Sequence, residues 1–86
     1  MRGIIERYIS RMTKDDINKF ALNKNINLSE DELNFTYNFI KKNYRNILEN
    51  PKLFDINRYR HYYTNENFSK IAKVYQEYFN TYSNYL

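Results

Sequence analysis

The residues best suited to chemistry in this sequence form one run, Arg58-Tyr59-Arg60-His61-Tyr62-Tyr63. Guanidinium groups interleaved with phenol rings hold phosphates and stack on unpaired bases, so the run suits a contact with nucleic acid or with an acidic protein. It lies in the one stretch where charge is unbalanced. Residues 41–63 carry Lys41, Lys42, Arg45, Lys52, Arg58 and Arg60 against Glu49 and Asp55, a surplus of four that equals the +4 of the whole chain. Lys41, Lys42, Arg45, Arg58, Arg60 and Tyr62 are therefore the candidate binding surface. The competing reading makes Tyr59 and Tyr63 core anchors beside solvated arginines, and A/T-rich codons alone would explain much of a content of ten tyrosines.

Catalytic chemistry finds little support. Asp15-Asp16 and Glu30-Asp31-Glu32 could act as paired carboxylates or hard-cation ligands, but their places in the first turns of two helices already account for them. His61 is the only histidine and cysteine is absent, which leaves no ligand set for a Cys-His metal centre. A nucleophilic triad would have to use His61 with no elbow motif to present the serine. The single glycine, Gly3, removes phosphate-cradling loops and tight hairpins. The composition thus points away from an enzyme and calls for no cofactor, metal or small-molecule substrate.

The elements that must position the basic run are helical. Leu28-Ser29-Glu30-Asp31-Glu32-Leu33 combines a serine cap, an acid three residues on and a flanking apolar pair: a capping box with a hydrophobic staple. Met12-Thr13-Lys14-Asp15-Asp16-Ile17 repeats that signature. Within the central stretch, Leu33, Phe35, Tyr37 and Phe39 alternate like a strand, whereas Leu33, Tyr37, Ile40, Tyr44, Ile47 and Leu48 keep helical spacing for longer. The longer pattern predicts a helix from Glu30 to about Leu48. Residues 3–12 predict a short amphipathic helix, and residues 13–23 a second, stopped where Asn23 or Asn25 turns left-handed. Asn50-Pro51 predicts a new turn capped by Asn50, Asp55 a further turn, and Thr64 the cap of a long last helix.

That last helix has Phe68, Ile71, Ala72, Tyr75, Phe79, Tyr82 and Leu86 on one face, and Val74, Tyr78 and Tyr85 as a second stripe. A face so wide either lies deep in the protein or docks a partner, which makes Val74, Tyr78 and Tyr85 the candidate interface. Glu66 and Lys70 are spaced for an ion pair. A helix-turn-helix reading of 13–48 meets an obstacle, because Glu30, Asp31 and Glu32 would face phosphates at the start of the recognition helix.

The order of these motifs, an Ile/Tyr/Arg helix, Met12-Thr13-x-x-Asp16-Ile17, Ile26-x-Leu28-Ser29-x-x-Glu32-Leu33 and a closing helix through Tyr78-Phe79, resembles a small all-helical domain family of unknown function from low-GC Gram-positive bacteria. The resemblance implies a helical fold and a bacterial cytosolic setting, and no mechanism.

The sequence therefore predicts one all-α domain over residues 1–86: a compact bundle of four to five short helices, with an αα-hairpin followed by a long C-terminal helix. No segment is apolar enough for a signal peptide or a membrane span, so a cytoplasmic protein without membrane attachment is expected. The expected role is a non-enzymatic protein-interaction or regulatory module with a protein partner or a second copy. The alternative is nucleic-acid binding through 41–63.

Overall fold

A computed structural model describes the backbone of residues 2–83 and the side chains of residues 3–81. Four α-helices, α1 (Arg2–Arg11), α2 (Lys14–Asn23), α3 (Glu30–Glu49) and α4 (Asn65–Ser83), are interrupted between α3 and α4 by two 3₁₀ segments, Pro51–Leu53 and Ile56–Tyr62. No strand occurs among the described residues. The chain is an all-α bundle in which an αα-hairpin is followed by a long helix.

Each boundary has a chemical cause. Thr13 accepts from the Asp16 amide (3.1 Å) while the Asp16 carboxylate accepts from the Thr13 amide (2.9 Å), closing the first capping box. Ser29 and Glu32 close the second in the same way, at 3.2 and 2.8 Å. Helix α2 stops at Asn25, the one described non-glycine residue with positive φ, 63°. There the Ile26 amide donates to the Ala21 carbonyl (2.8 Å) and the Asn25 amide to the Leu22 carbonyl (3.0 Å). These two bonds make a Schellman stop, with Asn25 in the position glycine usually occupies. Ile26 follows at 3 % exposure, so the stop also drives an apolar side chain inward.

Helix α3 resolves the two competing periodicities. Phe35 and Phe39 pack on each other at 5.8 Å, as residues four apart on a helix do, while the Tyr37 ring faces the ammonium groups of Lys14 and Lys41. The alternation reflects rings on both flanks of one helix. Helices α1 and α2 both pack on α3.

Helix α4 joins α3 largely through aromatic residues of the intervening segment. Phe54 lies between Phe39 of α3 (5.7 Å) and Tyr75 of α4 (5.2 Å), and Tyr59 packs edge-on against Phe39 at 4.6 Å. Such pairs contribute about 0.5–1.5 kcal/mol each beyond the area they bury. They matter because the aliphatic core is thin: among the described residues only Ile17, Ala21, Ile26 and Phe68 are buried hydrophobics.

Two expectations are corrected. Asn50 makes no side-chain cap for the Pro51 turn, since its backbone, not its side chain, closes that turn by accepting from the Leu53 amide (3.0 Å). Lys70 does not pair with Glu66; its ammonium reaches the Asn25 carbonyl at 2.8 Å and ties α4 to the α2 stop. No helix is long and apolar enough to cross a membrane.

Candidate functional site

Of the cations of 41–63, Lys41, Arg45 and Arg60 contact groups of the chain itself. Lys41 donates to the carbonyls of Ile9 (3.0 Å) and Ser10 (2.7 Å), the open end of α1, and lies 5.6 Å from the Tyr37 ring centre. A cation at a helix C-terminus satisfies orphan carbonyls and complements the dipole, so Lys41 clamps α1 to α3. Arg60 lies over the Phe68 ring at 4.7 Å, a cation–π contact with the most buried side chain of α4. Arg45 sits against its neighbour Tyr44 at 5.7 Å, in the field of Glu6 and Glu49. Tyr62 is stacked on Phe35 at 3.8 Å with an 11° tilt, and His61 flanks it at 4.1 Å. Lys42 and Arg58 point into solvent.

Of the second candidate surface, Val74 is half-buried and Tyr78 is 51 % exposed. Tyr85 lies outside the described residues. Tyr78 packs edge-on against Phe20 of α2 (5.8 Å), itself 43 % exposed, and the Lys24 ammonium sits 5.4 Å from the Tyr78 ring and 5.8 Å from that of Phe20. The sequence did not signal Phe20 as a partner of Tyr78. Its helical spacing from Ile17 and Ala21 would place it beside those buried residues, and it lies at the rim instead.

The most elaborate polar arrangement was visible in the sequence only by half. Glu32, 4 % exposed, accepts from the Ser29 amide (2.8 Å), the Thr64 amide (2.8 Å) and the Asn67 side-chain amide (2.8 Å). Asn67 also donates to the Asn27 carbonyl (3.0 Å), and its own backbone amide donates to the Thr64 hydroxyl (3.1 Å). One carboxylate thus joins the N-termini of α3 and α4 and the loop before α3. Burial pushes the Glu32 carboxyl up, but the bonds from Ser29, Thr64 and Asn67 outweigh it and hold the group below the ordinary value of 4.5. Beside it, Thr36 donates to the Glu32 carbonyl (2.7 Å), so the Tyr63 hydroxyl, 2.7 Å from Thr36, must be the donor in that second bond. Burial pushes the Tyr63 phenol above its usual range.

Two helix N-termini converging on one point would ordinarily attract an anion from solution. Here the chain supplies its own in Glu32, and the open cleft of about 350 Å³ alongside, walled by Ser29, Thr64 and Lys70, flanks an arrangement already satisfied. Among the described residues no three side chains of metal-binding type converge. The carboxylates of Asp15 and Asp16 are used locally, the first in an exposed ion pair with Lys19 (2.9 Å) and the second in its capping box.

Comparison of the chain with known protein families, with curated proteins and with solved structures finds no match in any of the three.

Proposed function

We propose that the chain is a non-enzymatic protein-interaction module whose docking face is the seam between α2 and α4, where Phe20 and Tyr78 meet. The observation that carries this reading is the pairing of Phe20 with Tyr78 at the surface: two large rings from different helices, held edge to face, with about half of Tyr78 left in water. Rings that are packed on each other and partly exposed supply large contact area, the profile of an interface anchor. Lys24 beside them adds a cation at the rim.

The nucleic-acid reading draws less support from the same geometry. Lys41 and Arg60 hold the chain's own carbonyls and rings, and Tyr62 is engaged by Phe35, so a phosphate or base would have to compete with internal contacts. The test places a photo-crosslinking amino acid at Tyr78 in the native host. A discrete adduct, with a second copy or with another protein, that disappears on Phe20→Glu is expected. A protein that yields no adduct but binds a labelled oligonucleotide with steep salt dependence would overturn the reading in favour of nucleic acid.

A further inference from the structure

A second surface, on α1, has chemistry of its own. Ile4 and Tyr8, one helical turn apart, are 69 % and 67 % exposed, more than the rings of the α2–α4 seam. With Arg7, Arg11, Met12 and Asp16 they wall a half-open cleft of about 260 Å³ where the end of α1 meets the start of α2. Arg7 and Arg11 are also one turn apart and exposed, so a cationic rail runs beside an apolar one. Glu6, the one acid in α1, is half-buried, and its charge acts on Arg45 of α3. Asp16, on the far wall, is fixed by the Thr13 amide (2.9 Å), with Lys19 and Lys41 acting on its charge.

We infer that this cleft docks an acidic amphipathic helix of a protein partner, seating an aliphatic or aromatic side chain between Ile4, Tyr8 and Met12 while carboxylates one turn apart meet Arg7 and Arg11. The inference rests on the protein-interaction reading but places the contact on a different surface. Matching one-turn spacings favour a helix, because its i and i+4 side chains present an apolar and an acidic row in the same register. A guanidinium binds carboxylate in a bidentate geometry, as it does phosphate, and supplies orientation. The concave shape favours a protruding side chain over the flat surface of a bilayer. Lys41 contributes by holding the end of α1 against α3, which fixes one wall of the cleft.

The experiment titrates the full chain, followed by amide NMR, with a synthetic helix bearing leucines on one face and glutamates on the other. Its counterpart with lysines in place of the glutamates and vesicles of anionic phospholipid serve as the other arms. Shifts confined to residues 4–16 with the glutamate peptide are expected, weakened about tenfold or more by Arg7→Glu with Arg11→Glu. The same charge-reversed chain should then prefer the lysine peptide. Both arginines are exposed, so circular dichroism of the variant should match wild type. Equal response to both peptides, no response to either, or response to vesicles alone would overturn the inference. Tyr78→Glu should leave peptide binding intact, so failure here with crosslinking at Tyr78 preserved removes only the α1 site.

Discussion

Glu32 and Lys41 are two charged residues of α3 that perform the same operation with opposite sign. Glu32 gathers the N–H groups that open α3 and α4; Lys41 gathers the carbonyls that close α1. Each uses a full charge to bind backbone groups at a helix end, although the Ile9 carbonyl held by Lys41 also accepts from the Met12 amide (3.1 Å). They differ in surroundings. Glu32 is almost wholly excluded from water with three protein donors around it, whereas Lys41 keeps contact with solvent and holds only two carbonyls. An uncompensated group in the first place has nowhere to turn; in the second, water substitutes. The two ties should therefore fail very differently.

The largest effect is expected from Glu32→Gln. The shape is nearly kept, but the amide NH₂ must face at least one of the Ser29, Thr64 or Asn67 donors, so the loss should be about 3 kcal/mol in chemical denaturation. A loss below about 1 kcal/mol would show that the two helix starts do not depend on this carboxylate. Acid gives the same comparison without mutation. Because the fold lowers the Glu32 pKa, its contribution is complete above the ordinary value of 4.5 and disappears as pH falls through the lower folded value. Melting temperature should drop on acidification across that window, with Asp16 adding in the same direction, and the slope should flatten in Glu32→Gln.

Lys41→Met should act more gently and more locally, by about 1.5 kcal/mol, since a partly hydrated charge is readily replaced by solvent. Its signature is spatial: amide hydrogen exchange should accelerate in α1 and leave α4 unchanged. Acceleration throughout the chain would mean that α1 is integral to the cooperative unit. Smallest of the set is Ser29→Ala, about 1 kcal/mol, because only the bond from the Glu32 amide is lost while the carboxylate keeps all three donors.

This contrast also marks what could be read from the residues alone. Capping is a local code: Thr13 with Asp16, and Ser29 with Glu32, each lie three apart, so serine or threonine followed by an acid announced both helix starts and the fold class. Lys41 to Ile9 and Thr64 to Glu32 each span thirty-two residues, and nothing in the neighbourhood of either residue encodes the partner. Hence Lys41 looked like part of a basic surface and Glu32 like an ordinary cap. The aromatic segment 50–63 was opaque for a related reason. Tyr59 and Tyr62 lie three apart on the 3₁₀ segment and both face Phe35, a period distinct from that of the α-helices, while Phe54 is placed by the gap between α3 and α4. Phe20 could not be placed at the rim beside Tyr78 until the two helices were set side by side.

The divided allegiance of the Glu32 carboxylate carries an implication for how the chain assembles. Its bond to Ser29 needs only one turn of helix, whereas those to Thr64 and Asn67 must wait for a segment far downstream. Collapse should begin with the α2–α3 pair and end when the last helix arrives to claim the remaining valences of that oxygen pair. Substitutions at Ser29 should then slow refolding, while those at Asn67 should chiefly hasten unfolding.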